Sequence, residues 1–178
     1  IISDYDKGLL PFLVDFSYTL KQKQVETYVD PKGLDFGKYK NCFMIKPNII
    51  ELRTATLENP EMDIDDKVWL SMQKAKADVC LLTKSSDGMS LYSANKKQDF
   101  DIISSEVYDV TGAGDTVIAA LVFARNRQLS LTDAASFSNY CAAFAVTKIG
   151  CAKMDIPELA NIMSQNDTFV DILPYVKG

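Results

Sequence analysis

The run Asp109-Val110-Thr111-Gly112-Ala113-Gly114-Asp115 holds the densest set of residues able to do chemistry in this sequence. Two glycines lead into an apolar stretch, Thr116 to Ala124, that reads as a helix. A helix that opens on a glycine turn presents unpaired backbone N–H groups to an anion. Asp115 falls in the first turn, where the helix dipole favours the ionised carboxylate. An ionised carboxylate there can take a proton from an attacking hydroxyl. An anion cradle with a base beside it is what phosphoryl transfer requires. Gly112, Ala113 and Gly114 are therefore the expected cradle, and Asp115 the expected base.

Three further segments carry candidate polar groups. Asn48-Ile49-Ile50-Glu51 follows Lys46-Pro47 and reads as the capped start of a helix, with Asn48 at the N-cap. Its Glu51 reads as an exposed carboxylate in the first turn of that helix. Thr83-Lys84-Ser85-Ser86-Asp87-Gly88 reads as a strand end followed by a hairpin turn, with Lys84 able to reach either a phosphate or solvent. Asn139 lies in a helical segment rich in small residues, among Ala142, Ala143 and Ala145.

Alternating elements are expected to position these groups. Strands are read at Ile1–Ser3, Val25–Asp30, Cys42–Ile45, Val79–Thr83, Met89–Tyr92 and Ile102–Val107. Helices are read at Leu9–Lys23 with Pro11 in the first turn, Ile49–Leu57, Asp66–Lys76, from the glycine turn to about Arg127, and from Thr132 to about Lys148. Ser130-Leu131-Thr132-Asp133 resembles a capping box, Gly150 suits a C-cap region, and Ile156–Met163 reads as a last short helix. Short apolar strands alternating with helices predict a three-layer α/β fold, a mostly parallel sheet covered by helices on both faces. The expected domain is 1–163, with a tail at 164–178 for which the pattern offers no reading. The chain opens without Met on a strand-like Ile1-Ile2-Ser3-Asp4, which implies that sequence once preceded it.

Bulk properties narrow the chemistry. With 178 residues, 47% hydrophobic and 24% charged, the chain can build a real core. A net charge of −5 argues against a nucleic-acid partner. There is no histidine, so His general bases, Ser-His-Asp triads and His-ligated zinc are excluded. Cys42, Cys80, Cys141 and Cys151 are widely spaced, without CxxC, and read as free thiols of a reducing, cytoplasmic compartment. No apolar stretch reaches the roughly 18 residues of a membrane span, and GxxxxGK[ST] is absent.

The segment VYDVTGAGDT resembles the signature of the ribokinase-like (PfkB-type) sugar kinases. The resemblance implies that Asp115 is the catalytic base and that the Gly112–Gly114 amides form the anion hole. It implies that Asp109 and Thr111 help hold a monovalent cation such as K⁺ or order the site. Asn48 through Glu51, with Ile49 and Ile50 between them, corresponds to the family's N-x-x-E, which orders Mg²⁺-bound ATP phosphates. Thr83 and Gly88 match positions lining the nucleotide, although Lys84 stands where glycine is common. Asn139 matches a nucleotide-contacting position, and Gly150 is the clearest match in the closing loop, Thr147 to Cys151.

A narrower likeness lies in SDYxKG (Ser3–Gly8), VDPKGxDF (Val29–Phe36), KPNxxE and EVYDVTGAGDT, in this order. They are similar to the heptose 7-phosphate kinase domain of bacterial ADP-heptose synthases, which serve lipopolysaccharide core synthesis. This implies ATP-dependent phosphorylation of the anomeric hydroxyl of D-glycero-β-D-manno-heptose 7-phosphate, with Lys7 and Lys32 as partners for anionic phosphates. It also implies that the chain is the later half of a kinase domain, homodimeric when intact, with a nucleotidylyltransferase domain in the parent protein. The HxGH motif of that second activity requires histidine and is not in this chain. A kinase of another sugar or nucleoside, or a nucleotide-binding module inactive by itself, are the competing readings.

Overall fold

Strand β4, Val79–Thr83, carries the apolar run VCLLT, and every residue of it but Thr83 is buried. Such a strand belongs inside a sheet covered on both faces. In the computed structural model, which describes residues 1–8, 13–103, 107–148, 150, 157, 159 and 163, it is the fourth of six strands arranged in sequence order. The others are β1 (Ile2–Ser3), β2 (Tyr28–Asp30), β3 (Met44–Ile45), β5 (Met89–Ser93) and β6 (Lys96–Phe100). β1 through β4 are parallel, and β5 returns antiparallel to β4 through the expected hairpin. The helices are α1 (Leu13–Gln22), α2 (Ile49–Ala55), α3 (Ile64–Ala75), α4 (Ala113–Asn126) and α5 (Leu131–Val146).

The chain divides into two packing units, Ile1–Asp99 and Phe100–Gly178. In the first, Val29, Ile45, Cys80 and Leu82 project from one sheet face into a cluster with Leu52 and Ala55 of α2, Val68 and Met72 of α3, and Phe36 and Tyr39 of a short 3₁₀ turn. Trp69 meets Tyr92 edge-on at 5.4 Å between ring centroids. The alternate residues Tyr28, Met44, Leu81 and Leu91 are buried as well. In the second unit, α4 packs against α5. Val117, Ile118, Leu121 and Ala124 form the buried stripe of α4, at the spacing of one helical face. Leu159 and Met163 are buried. No helix among the described residues is long and apolar enough to cross a membrane.

The expected elements shift in places. The strand read at Ile102–Val107 lies instead at Lys96–Phe100; Ile102, Ile103 and Val107 are in no strand, and 104–106 fall outside the described residues. β6 is a polar edge strand with four exposed residues, so it lacks the apolar alternation that reveals a strand. Its turn is written in Ala94-Asn95, both left-handed at φ 48° and 61°, the pairing of a type I′ hairpin. Strands β2 and β3 begin later than read, since Val25–Thr27 and Cys42-Phe43 lead into them. α3 begins two residues early because Asp63 caps it, accepting from Asp66 N–H at 2.8 Å. Ser130 caps α5, but Asp133 turns its carboxylate to the Ser130 hydroxyl (2.6 Å), not to the cap N–H as a capping box would. Leu9–Phe12 with Pro11, Cys151, most of Ile156–Met163 and the tail 164–178 lie outside the described residues.

Candidate active site

In a parallel sheet the chain leaves each strand at the same edge, and ligands bind beyond those carboxyl ends. In the first unit this edge collects Asp4 after β1, Asp30-Pro31-Lys32 at the end of β2, Lys46-Pro47-Asn48 after β3, and Thr83 closing β4. The register between β2 and β3 pairs Val29 with Ile45. One residue further it sets Asp30 beside Lys46, whose ammonium lies 3.1 Å from the carboxylate, with side chains 11% and 4% exposed. The register between β3 and β4 continues to a bridge between Asn48 and Thr83, with Thr83 N–H donating to Pro47 C=O at 3.0 Å. Two of the sequence candidates are thereby neighbours.

Asn48 and Glu51 form a complete capping box. The Asn48 side-chain oxygen accepts from Glu51 N–H, and a Glu51 oxygen accepts from Asn48 N–H, both at 2.8 Å. The other Glu51 oxygen is paired with the Lys32 ammonium. The Glu51 side chain is therefore one-tenth exposed and held by donors at both oxygens. Between them, Ile49 packs against the core cluster and Ile50 is exposed.

Lys32 is itself fixed. Its backbone N–H donates to the Tyr39 hydroxyl at 2.8 Å, and that hydroxyl donates to the Asp4 carboxylate. Tyr39 is fully buried. Burial, with the Asp4 carboxylate next, pushes its phenol well above the usual range. Lys38 Nζ lies 2.8 Å from Asp4 and 3.0 Å from Asp6. Burial opposes the Asp4 carboxylate's charge, but hydrogen bonds from Lys38, Tyr39 and the Asp6 N–H outweigh it and hold the group below its ordinary value. Tyr39, Asp4, Lys38, Asp30 and Lys46 were missed as site residues. The one signal for the buried pair was an Asp-Pro and a Lys-Pro closing consecutive apolar strands. Lys7 is exposed in the loop after β1. Lys84 is paired with Asp99 at 3.1 Å, and Gly88 ends the hairpin turn at φ 74°.

The second unit holds the glycine turn. Gly112 is the N-cap of α4 in the left-handed conformation, φ 76°, and Asp115 stands exposed at the third helical position. Asp109 shapes the approach to this turn. One of its oxygens accepts from Thr111 N–H and the other from Gly150 N–H, each at 2.9 Å. Hydrogen bonding by Thr111, and then by Gly150, holds the Asp109 carboxyl below its ordinary value. Asn139 is buried and donates to the Asp101 carbonyl at 2.8 Å, so its amide anchors the segment after β6.

Among the described residues no cluster of three acidic or thiol groups could cage a metal. The lone, doubly hydrogen-bonded Glu51 fits a Mg²⁺ held chiefly by phosphates and reached through water. Asp109, with an oxygen on each of two N–H groups beside the exposed Thr111, is an ordered anionic edge that a monovalent cation would fit.

The profile of the pfkB family carbohydrate kinases matches residues 12–159. Bifunctional protein HldE of Sulfurimonas denitrificans is 38% identical over 167 residues, which are 89% of this chain and 34% of that protein. The chain thus spans about a third of the length of the curated relatives it matches. Ribokinase from Thermotoga maritima superposes with a TM-score of 0.75 at 16% identity, over 85% of this chain and 54% of that one. Ribokinase from Arabidopsis thaliana, solved with ribose and ATP, superposes at 0.74 with 22% identity, over 84% of this chain and 51% of that one. The fold is ribokinase-like α/β with a mixed six-stranded sheet, and the chain belongs to the pfkB family of carbohydrate kinases.

Proposed function

We propose that this chain supplies the catalytic base and the nucleotide-ordering residues of an ATP-dependent sugar kinase. The observation that carries the reading is the glycine-capped start of α4, which sets an exposed Asp115 in the first turn of the helix, beside its N-terminus. Asp115 accepts the proton of the sugar hydroxyl as its oxygen bonds to the γ-phosphorus. The bond from that phosphorus to the β,γ-bridging oxygen breaks, and ADP leaves. The N–H groups of Gly112 and Gly114 stabilise charge on the transferring group, while that of Ala113, expected in the same cradle, donates to the Val110 carbonyl at 3.2 Å. Mg²⁺, when bound to the phosphates, supplies further charge neutralisation. Asn48 and Glu51 orient the hydrated ion, Thr83 and Gly88 line the nucleotide, and Asp109 with Thr111 offers the place for K⁺.

The finer reading is a heptose 7-phosphate kinase acting at C1, in the route to ADP-heptose. Its support is the order of SDYxKG, VDPKGxDF and KPNxxE along the chain, and the similarity to proteins named HldE. In that reading the rest of the kinase domain, a nucleotidylyltransferase domain and a second copy are partners in the parent protein. The test is a substrate panel on the full-length protein carrying this chain. Turnover of ATP with heptose 7-phosphate should exceed that with ribose, fructose 6-phosphate or nucleosides by about 100-fold, a discrimination that differential binding in a fitted pocket can supply. Preference for one of the others would replace heptose while keeping the kinase.

A further inference from the structure

Lys32 sits in a glycine turn, where a lysine would ordinarily be read as a solvated charge or as a phosphate ligand. Its surroundings argue for another role. The ammonium is paired with Glu51, whose remaining oxygen is committed to the Asn48 N–H. The backbone from which it extends is pinned at both polar groups: its N–H donates to the Tyr39 hydroxyl, and its carbonyl lies 3.1 Å from the same hydroxyl. That hydroxyl is fully buried and donates to Asp4, a carboxylate 7% exposed that also takes the Lys38 ammonium and the Asp6 N–H. Beneath the turn, Asp30 and Lys46 join the ends of β2 and β3 through a buried ion pair. Three consecutive strand ends are thus tied to one another by side chains, and the last link is the Lys32–Glu51 pair.

We propose that Lys32 is a positioning residue for Glu51, placed by Tyr39 and Asp4, and not a ligand of the phosphates. The ammonium holds the Glu51 carboxylate in one rotamer against its capping position, so that the carboxylate meets the hydrated Mg²⁺ already oriented. Prior orientation removes an ordering cost from binding. The assignment rests on Asn48 and Glu51 ordering Mg²⁺-bound phosphates, as proposed above.

A double-mutant cycle on the full-length protein separates the two roles, read as MgATP affinity by calorimetry at fixed free Mg²⁺. This readout does not depend on which sugar is the substrate. Lys32 is about one-third exposed, so Lys32→Met keeps the fold, and thermal unfolding verifies it. Lys32→Met should weaken MgATP binding about fivefold to tenfold in the wild-type background and less than about twofold beside Glu51→Gln, because a positioning residue has nothing left to position. Lys32→Arg should restore most of the affinity. Tyr39→Phe should weaken binding with the same dependence on Glu51. Equal losses from Lys32→Met in both backgrounds would make Lys32 a direct phosphate ligand and overturn the proposal, as would an unchanged affinity in Lys32→Met. If Glu51→Gln alone left MgATP affinity unchanged, the role given to Glu51 above would fail first, and this one with it.

Discussion

Removing the Lys46 ammonium should destabilise the first unit more than any surface substitution. The Asp30–Lys46 pair is 3.1 Å apart, with side chains 11% and 4% exposed. Breaking a buried pair from one side leaves an uncompensated charge and costs roughly 3–5 kcal/mol. Asp30 keeps slight access to water, so Lys46→Met should fall near the lower end, about 3 kcal/mol. With a urea m-value of roughly 2 kcal/mol/M, the midpoint should drop by about 1.5 M. Asp30→Asn with Lys46→Met removes both charges and should recover about 2 kcal/mol of the loss. Urea unfolding followed by Trp69, the single tryptophan, reports on this unit directly. A loss below about 1 kcal/mol in Lys46→Met, or a double variant whose cost is the sum of the singles, would refute the reasoning.

Other consequences follow from the same geometry. Gly112→Ala meets no atom within 4 Å of the new Cβ, so its cost is the left-handed backbone alone, about 1 kcal/mol; Gly112→Asn should cost less, and denaturant unfolding of both variants checks the order. The Tyr92 hydroxyl, ahead of Lys97, holds the Asp65 carboxyl below its ordinary 3.8. A carboxyl depressed on folding adds stability above its unfolded value, lost as pH falls through the folded value. Asp65→Asn should therefore flatten the stability profile below about pH 4, and an unchanged acid limb would contradict this. Burial pushes the Cys42 and Cys141 thiols up to about 12 and raises Cys80 as well. At about pH 8 these three should resist alkylation in the native protein and react in denaturant, as peptide mass mapping would show.

What could be read in advance followed the range of the interactions involved. β4 has its expected bounds because four successive apolar residues admit few other readings. The cap at Asn48 was legible because it is a contact within three residues of chain, and the glycine turn before α4 because Gly112 takes a left-handed conformation that favours glycine. β6 escaped notice because an exposed edge strand carries no apolar alternation, and only its Ala94-Asn95 turn marks it. The Tyr39 network was hidden for a different reason. Tyr39 reaches Asp4 across 35 positions, and Lys32 reaches Glu51 across 19, so neither pairing leaves a local pattern. Lys32 and Lys84 looked alike as loop lysines, yet one is bound to Glu51 and the other to Asp99.

The role of Asp115 as general base is the central claim, and Asp115→Asn in the full-length protein tests it most directly. The carboxamide keeps the size of the side chain and the helix start, but cannot take the proton. Sugar-dependent ATP turnover should fall by about 10²- to 10⁴-fold, while MgATP affinity stays within about threefold of wild type. Turnover within about threefold of wild type, with that affinity intact, would contradict the account.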